Sequence, residues 1–386
     1  MNIGYVYGFD SFPCAGGGAI HVHNLIAQLT GLGCRIHTFE PESDPVCSVY
    51  PVDEKGVDAF LSKIDLLYMR MDGWYLSQSP LKLKCMDKIG SKPLVWEINS
   101  SAEELVIRNG QSSDASRHKG LLERIQSFRR MRRLKAAVRK DEQLRCSYAR
   151  DVSAACCVSS ALMGYAQKDL KIDRCRVIPN GSDPDFFSPS HKDDSLFSDY
   201  RDCFKVIYAG DSRWPWQGFP IIVELADYAL ERDPEILFVV LDNSPHLKKI
   251  DKKNILLFNQ VPYDEVPKYM ASADACLCLY GDFSWSHLGF HLSPLKLFDY
   301  MASGKPVIGS KMGQIAEVID DGKDGFLTSN AVSEIYQTIA MVKKDPDLAE
   351  KAGQRTRQKI INELSWNHTA RHTYSVFQSV LDQQGP

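Results

Sequence analysis

The sequence predicts an α/β protein built from two doubly wound parallel sheets. Short apolar strands alternate with amphipathic helices along the chain, which is typical of parallel sheets covered by helices on both faces. The chain has 386 residues, of which 44% are hydrophobic and 25% are charged. This length allows two domains with separate cores, and this composition is typical of a globular protein.

The first predicted domain opens with a strand at residues 2–7, a glycine-rich loop and a helix. Val22, Leu25, Ile26 and Leu29 recur at helical spacing and share one face of that helix. Further strands are predicted at residues 35–39, 66–69, 94–98 and 154–158. This order of elements predicts one Rossmann-like unit.

The second predicted domain repeats the alternation and opens with an apolar strand at residues 204–209. The elements that follow are a helix at 221–232, strands at 236–241 and 255–258, a helix at 264–272 and a strand at 275–279. The segment VIPNGSDPDFFSPSHKDD, rich in turn formers, precedes this domain. We therefore expect a first domain at 1–180, a linker at 181–202 and a second domain at 203–364.

The stretch SPLKLFDYMASGKPVI, which begins at Ser293, predicts a helix whose N-terminus can hold an anion. Ser293 is predicted as the N-cap, Pro294 as the first helical residue, and Gly304 as the left-handed residue that ends the helix. Unpaired backbone N–H groups at the helix start, together with the Lys296 ammonium, attract a phosphate. The carboxylate of Asp299, three residues on, could accept hydrogen bonds from ribose hydroxyls. The alternative is an ordinary capped helix with a surface pair of Lys296 and Asp299.

Residues 290–327, FHLSPLKLFDYMASGKPVIGSKMGQIAEVIDDGKDGFL, resemble the donor-nucleotide segment of family-4 glycosyltransferases, which are retaining enzymes of the GT-B fold. In that family, two acidic residues separated by seven positions bracket this helix start. The second holds the ribose and corresponds to Asp299. The first lies near the donor sugar, and His291 stands in its place. The resemblance implies two Rossmann-like domains facing a central cleft, with a C-terminal helix at 365–386 that packs on the first domain.

The loop GDSRWPWQG directly follows the strand that opens the second domain. Open α/β sheets bind ligands at such loops, beyond the carboxyl ends of their strands. The related enzymes hold the donor diphosphate here with an arginine and a lysine. Arg213 matches the arginine, and Gln217 stands where the lysine is usual. The alternative is that Trp214 and Trp216 cap the core of this domain.

The first domain carries two further segments that resemble the family pattern. In AGGGAIHVHNL, the residues Gly17, Gly18 and His21 align with a GGA-xx-H pattern, and we interpret the histidine as a helix-packing residue rather than a base. In LVWEINSSAEEL, Glu97 and Asn99 match an E-x-N pattern on the acceptor side. The asparagine and the serine after it could also cap the next helix, and both interpretations can hold together.

The resemblance and these motifs together give two sets of candidate residues. The catalytic candidates are Glu97, Asn99, His291 and Arg213. The candidates for donor binding are Gly17, Gly18, Gly210, Arg213, Gln217, Val261, Leu292, Ser293, Pro294, Leu295, Lys296 and Asp299. No metal ligand set is expected, because the resemblance implies a metal-independent reaction and His21 and His23 are not at metal-ligand spacing with another clear ligand. No cofactor is expected either, because the donor, a UDP- or GDP-linked sugar, is a substrate.

The most charged segment, residues 117–140, predicts a basic helix that could rest on an anionic membrane surface. A solvated surface helix is the alternative, and nucleic-acid binding is not expected because no nucleic-acid-binding module accompanies the patch. No apolar run is long enough to span a bilayer, and the N-terminus lacks the pattern of a signal peptide. The eleven cysteines are scattered and their spacings do not suit a disulfide framework. We therefore expect a cytoplasmic protein, which could attach peripherally to the inner face of the membrane. The arginines that dominate this segment are Arg124, Arg129, Arg130, Arg132 and Arg133.

These patterns predict a retaining hexosyltransferase that moves a sugar from a nucleotide-diphosphate donor to an acceptor. A glycan, a lipid-linked sugar and a small molecule are all open as acceptors. Because His291 and Gln217 replace two residues common in active relatives, a catalytically weak nucleotide-binding partner of another enzyme is the alternative. A nucleotide-sugar epimerase, which shares the two-domain architecture, is more remote.

Overall fold

The computed structural model describes residues 1–7, 16–39, 47–104, 121–242, 244, 250 and 252–384. The chain divides into two compact units. The first comprises Met1–Pro179, Trp285–Ser293 and Trp366–Pro386, and the second comprises Asn180–Ser284 and Pro294–Ser365. The segment expected as a linker, 181–202, is therefore part of the second unit, whereas Trp285–Ser293 is part of the first.

The first unit contains a parallel sheet with helices on its faces. Its strands are β1 (Asn2–Val6), β2 (Arg35–Thr38), β3 (Ser48–Val49), β4 (Leu66–Met71), β5 (Leu94–Ile98), β6 (Val152–Cys157) and β7 (Cys175–Val177). Its helices before residue 180 are α1 (Gly17–Gly31), α2 (Glu54–Lys63), α3 (Pro80–Lys88), α4 (Leu121–Ala149) and α5 (Ser160–Lys168). The described strands are hydrogen-bonded in the order β3-β2-β1-β4-β5-β6-β7.

The second unit is built in the same way. Its strands are β8 (Phe204–Gly210), β9 (Ile236–Asp242), β10 (Ile255–Asn259), β11 (Ala275–Cys278), β12 (Val307–Ser310) and β13 (Phe326–Thr328). Its helices are α6 (Phe219–Leu230), α7 (Val266–Ser272), α8 (Leu295–Ala302), α9 (Gly313–Val318), α10 (Val332–Lys344) and α11 (Pro346–Lys359). The order of the described strands is β10-β9-β8-β11-β12-β13.

Both sheets have the strand order of a Rossmann fold. In this order the first three strands extend the sheet to one side, and the fourth strand returns to the other side of the first, so that the direction of strand addition reverses there. The reversal lies between β1 and β4 in the first unit and between β8 and β11 in the second. All of these strand pairs are parallel. The predicted fold class is confirmed, and each reversal marks the edge where such sheets bind ligands.

The helix α12 (Trp366–Leu381) completes the core of the first unit. Its Ala370, Phe377 and Val380 join the apolar cluster formed by β1 and α1. The ring of Phe377 lies edge-on to that of Tyr68 on β4, with 4.9 Å between centroids. This is the packing that the family resemblance implied for the C-terminal helix.

Gly304 ends α8 with a positive φ of 68°, as the sequence predicted. The start of α8 differs from the prediction, because Pro294 has extended backbone angles and is itself the N-cap, so that the helix begins at Leu295. No side chain caps this helix. None of the helices in the described ranges combines the length and apolar character needed to cross a bilayer.

Candidate functional site

The loop after β8 lies at the chain reversal of the second sheet, and its backbone is held by side chains of the same unit. The Asp211 N–H donates to Oε1 of Gln217 at 3.1 Å, and the Ser212 N–H donates to Oδ2 of Asp242 at 2.8 Å. Asp242 ends the neighbouring strand β9. These two loop N–H groups are therefore already hydrogen-bonded.

Gly210 occupies the last position of β8 because no side chain fits there. A Cβ atom on this residue would lie 2.5 Å from the Tyr208 hydroxyl and 2.9 Å from Oε1 of Gln217. The absence of a side chain lets the loop turn closely over Gln217. In the same loop Trp216 is buried and Trp214 is half-buried, with 4.9 Å between their ring centroids.

Arg213 is the exposed cation of this loop, with 54% of its side chain accessible. Its guanidinium donates to both carboxylate oxygens of Asp211, with Nε at 2.9 Å from Oδ1 and Nη2 at 2.5 Å from Oδ2. Burial acts to raise the pKa of Asp211, but the hydrogen bonds from Arg213 lower it overall. A diphosphate would have to share Arg213 with this carboxylate.

Lys296, in the first turn of α8, is the more enclosed cation. Its ammonium donates to Oε1 of Gln217 at 3.3 Å and lies over the rings of Tyr208 and Tyr280, at 4.5 and 4.8 Å from their centroids. Burial lowers its pKa to about 8. No salt bridge joins Lys296 to a carboxylate within the described residues, although the carboxylates of Asp242 and Asp211 act on it from a longer distance and partly offset the effect of burial on its pKa.

Asp299 lies one turn further along α8 and is 9% exposed. The Ser182 hydroxyl donates to its Oδ1 at 2.8 Å. Burial raises the pKa of Asp299 to about 7. A carboxylate with this pKa is poised to accept further hydrogen bonds, because donors to its charged form would offset the desolvation.

The predicted donor residues between β10 and α8 take different positions. Val261 follows the end of β10 and, like Leu292, is half-buried. Ser293 is buried and precedes the helix rather than capping it. Leu295 opens α8 and is half-buried.

His291 is fully buried and belongs to the first unit. Its Nδ1 lies 3.0 Å from the Gly289 carbonyl oxygen, its ring is edge-on to that of Trp285, and its own carbonyl accepts from the Ser159 hydroxyl at 2.6 Å. Burial lowers the pKa of His291. The resemblance pairs His291 with Asp299, but the two residues belong to different units.

Glu97, at the end of β5, is the centre of a buried polar cluster in the first unit and is 1% exposed. Its carboxylate accepts from the Tyr5 hydroxyl at 2.5 Å, from Arg70 Nη1 at 2.9 Å and from the Asn99 amide at 2.8 Å, and it also contacts Nε2 of His21. Burial acts to raise the pKa of Glu97, but His21 and Arg70 hold it well below its usual range.

The other candidates of the first unit lie around this cluster. The Asn99 N–H donates to the Met71 carbonyl at 2.8 Å, while its side chain turns back on Glu97. Gly17 and Gly18 form the first turn of α1. The rest of the glycine-rich loop lies outside the described residues, as does most of the helix that Asn99 was predicted to cap.

Sequence reasoning missed Ser182, Asp242 and the cation–ring contacts of Lys296, because their partners are distant in the chain. It also missed Arg70 as the partner of Glu97. Here a signal was present, because an arginine inside the apolar strand LLYMRM needs a buried partner. No cluster of three or more histidine, cysteine, aspartate or glutamate side chains is placed to hold a metal ion in the described ranges.

Comparison with known proteins shows what the second unit is similar to. Residues 203–345 match the family model described as glycosyl transferases group 1. The matched stretch contains both the loop with Arg213 and the helix with Lys296 and Asp299. The chain is 25% identical to MMP alpha-(1->4)-mannosyltransferase from Mycolicibacterium hassiacum over 248 residues, which are 60% of this chain and 56% of that protein. The chain thus aligns with about half the length of this curated relative.

The fold of the chain is that of GT-B glycosyltransferases. Anabaena HepE in complex with UDP and glucose superimposes with a TM-score of 0.67 at 15% identity, covering 98% of this chain and 100% of that one. Sucrose-phosphate synthase from Thermosynechococcus elongatus superimposes with a TM-score of 0.68 at 14% identity, covering 99% and 100%. These solved structures show the fold, and the family match at residues 203–345 supports a group 1 glycosyltransferase.

Proposed function

We propose that this chain is a retaining glycosyltransferase that moves a hexosyl group from a UDP- or GDP-linked sugar to an acceptor. The observation that carries the proposal is the arrangement at α8, where a half-buried cation and a buried carboxylate lie within the stretch that matches group 1 glycosyl transferases. A nucleoside diphosphate requires both features, a cation for its phosphates and an acceptor for its ribose hydroxyls.

Lys296 and the first N–H groups of α8 are proposed to bind the diphosphate. As the bond between sugar and phosphate breaks, negative charge develops on the leaving diphosphate, and a fixed cation in a poorly hydrated site stabilises it. Arg213 is proposed as the second cation, once the diphosphate draws it from Asp211. Asp299 is proposed to accept hydrogen bonds from the ribose. The complex of HepE with UDP-glucose supports this class of donor.

Glu97 is proposed as a positioning residue rather than as a base. Its oxygens already accept hydrogen bonds from Tyr5, Arg70 and Asn99, and a carboxylate whose pKa is so strongly lowered is a poor proton acceptor. Its role would be to hold His21 and the start of α1 in place.

A nucleotide-binding partner with little activity is a second candidate function. Gln217 accepts from both Lys296 and the Asp211 N–H, and Arg213 is paired with Asp211. Among the described residues, Lys296 therefore forms no salt bridge, while Arg213 is already paired. This observation favours slow turnover rather than loss of nucleotide binding.

Calorimetric titration with UDP, GDP, ADP and the corresponding nucleotide sugars tests the proposal. Donor hydrolysis is then followed with and without EDTA, and NMR of the released sugar reports its anomeric configuration. We expect one diphosphate to bind best, its sugar to be released with retention, and EDTA to have no effect. Binding without hydrolysis or transfer over a broad acceptor panel would favour the second candidate, and no binding would contradict both.

A further inference from the structure

A cavity of about 510 Å³ in the first unit is lined by none of the candidate catalytic or donor-binding residues. Its volume falls in the range of roughly 300–1,000 Å³ typical of small-molecule sites. Its wall is one face of α4, and its other side is the segment that follows β4. The lining side chains that matter are Tyr75, Arg129, Arg130, Arg133, Leu134 and Ala137.

The cavity is lined by three arginines and by no acidic residue among those the structure describes. Arg129, Arg130 and Arg133 are exposed, and Arg133 follows the other two by four and three positions, which places it one turn further along α4. No salt bridge joins Arg129 or Arg133 to a carboxylate in the described part of the chain. Like charges held this close repel one another, so an anion that enters the cavity relieves the repulsion.

Tyr75 provides an independent indication of a ligand. The residue lines the cavity, is 9% exposed, and its hydroxyl is buried without a hydrogen-bond partner in the described ranges. Burial raises the pKa of Tyr75, so the hydroxyl keeps its proton at neutral pH. A buried hydroxyl without a partner is unfavourable, and an anionic oxygen would satisfy it.

The segment that carries Tyr75 is fixed before any ligand binds. Arg145, which is 1% exposed, donates through Nη2 to the carbonyls of Asp72 and Trp74 at 2.7 and 3.0 Å. Asp141 accepts from the Ser77 N–H at 2.9 Å. Both Asp141 and Arg145 belong to α4, so the helix and the segment form one preorganised frame around the cavity.

We propose that this cavity binds a phosphate group, with the arginines as charged donors and the Tyr75 hydroxyl as a neutral one. Guanidinium groups match the oxygens of a phosphate with paired hydrogen bonds. The phosphate can belong to a soluble phosphorylated molecule or to the headgroup of an anionic phospholipid. Phe128 on the same helix is 70% exposed. Because an exposed aromatic side chain suits a lipid surface, the lipid source is tested beside the soluble one.

Binding of glycerol 3-phosphate and sedimentation with vesicles test the two sources in the full chain. The pocket variants are Tyr75→Phe, which removes only the hydroxyl, and the double substitution of Arg129 and Arg133 by glutamine. The matched control is the double substitution Arg139→Gln and Lys140→Gln, because these residues are exposed on α4 and do not line the cavity. All variants keep the second unit unchanged, so any phosphate bound there contributes equally.

We expect glycerol 3-phosphate to bind, with affinity reduced at least roughly 10-fold by the arginine variant and about 3-fold by Tyr75→Phe, while the control is unchanged. If glycerol 3-phosphate does not bind, but the protein sediments with vesicles of phosphatidylglycerol and the variants sediment less in the same order, the phosphate is that of a lipid headgroup. Equal losses in the pocket variants and the control would reduce the effect to general surface charge and overturn the proposal. Absence of binding to both probes would also overturn it.

Discussion

Glu97 in the first unit and Asp299 in the second are both buried carboxylates, yet their surroundings shift their pKa values in opposite directions. The pKa of Glu97 is held well below its usual range, because His21 and Arg70 outweigh the effect of burial. The pKa of Asp299 is raised to about 7 by burial, and one hydroxyl, that of Ser182, donates to it within the described residues.

The fold pairs the Glu97 carboxylate with positively charged partners, whereas within the described residues it gives the Asp299 carboxylate one hydroxyl donor. A fully paired carboxylate stabilises the positions of its partners and has little capacity left for a ligand. A carboxylate that is desolvated but weakly paired reduces the stability of the fold, and such groups concentrate at functional sites. The comparison agrees with the proposal that the nucleotide binds to the second unit and that the Glu97 cluster organises the first.

The largest expected effect is the loss of stability in Glu97→Gln. Removing the negative charge leaves Arg70 and His21 buried beside a neutral amide, which should lower the free energy of unfolding by about 3–5 kcal/mol. Urea unfolding measures this, with Glu54→Gln, a change in an exposed ion pair, as the control expected to lose less than about 1 kcal/mol. A stable Glu97→Gln protein without activity would instead make Glu97 a catalytic residue.

The next effect concerns ligand affinity and is expected in Lys296→Met. The methionine keeps apolar contact with Tyr208 and Tyr280 but cannot donate to a phosphate, so nucleoside diphosphate affinity should fall by about 1.5–3 kcal/mol, roughly 10- to 100-fold. The pKa of Lys296 is lowered to about 8, so unliganded wild type loses stability as the pH falls through that value, and the variant should be the more stable at neutral pH. Calorimetry with Lys311→Met, an exposed lysine, provides the control. Equal affinities in all three proteins would remove Lys296 from the site.

A smaller gain in stability is expected in Asp299→Asn. Because the folded pKa of about 7 exceeds the usual value of 3.8, the wild-type carboxyl stabilises the fold fully only below its unfolded pKa and loses this contribution as the pH rises towards 7. The variant should therefore unfold with about 1–2 kcal/mol more free energy at about pH 8, and with no difference at about pH 4.

The same substitution should weaken diphosphate binding, since an amide accepts ribose hydroxyls less well than a carboxylate. Thermal unfolding at both pH values measures the gain in stability, with Asp202→Asn, an exposed aspartate, as the control. A variant less stable than wild type at high pH would show that Asp299, like Glu97, is a paired structural carboxylate.

The smallest effect is expected in Gln217→Lys, which adds the cation common in the related family. The lysine cannot accept from Lys296 or from the Asp211 N–H, so the unliganded protein should lose about 1 kcal/mol of stability. Diphosphate affinity and donor hydrolysis should each rise by roughly two- to fivefold, because the second cation binds the leaving group. Unchanged hydrolysis in this variant would favour the nucleotide-binding partner over the enzyme.

The sequence predicted the features that depend on local patterns. The strand at 94–98 has the predicted bounds, and the helix with Lys296 and Asp299 is present, because apolar periodicity and turn residues determine these elements. The start of that helix was predicted wrongly, since the backbone of Pro294 is extended.

The partners of the site residues could not be predicted, because they depend on tertiary contacts. Ser182 and Asp299 are separated by 117 positions, and nothing in either local pattern indicates that they meet. The Asp211 carboxylate that pairs with Arg213 lies only two positions away, yet no sequence pattern indicates that the two side chains form an ion pair.

The core that α12 completes has a consequence for folding during synthesis. Tyr68 and the other apolar residues on one face of the first sheet pack against Phe377 and Val380, about three hundred positions later in the chain. A ribosome that has made the whole first sheet has therefore made an apolar face that α1 covers only in part. The entire second unit must emerge before that face is buried, and in this interval the nascent chain is exposed to aggregation and is a natural client of chaperones.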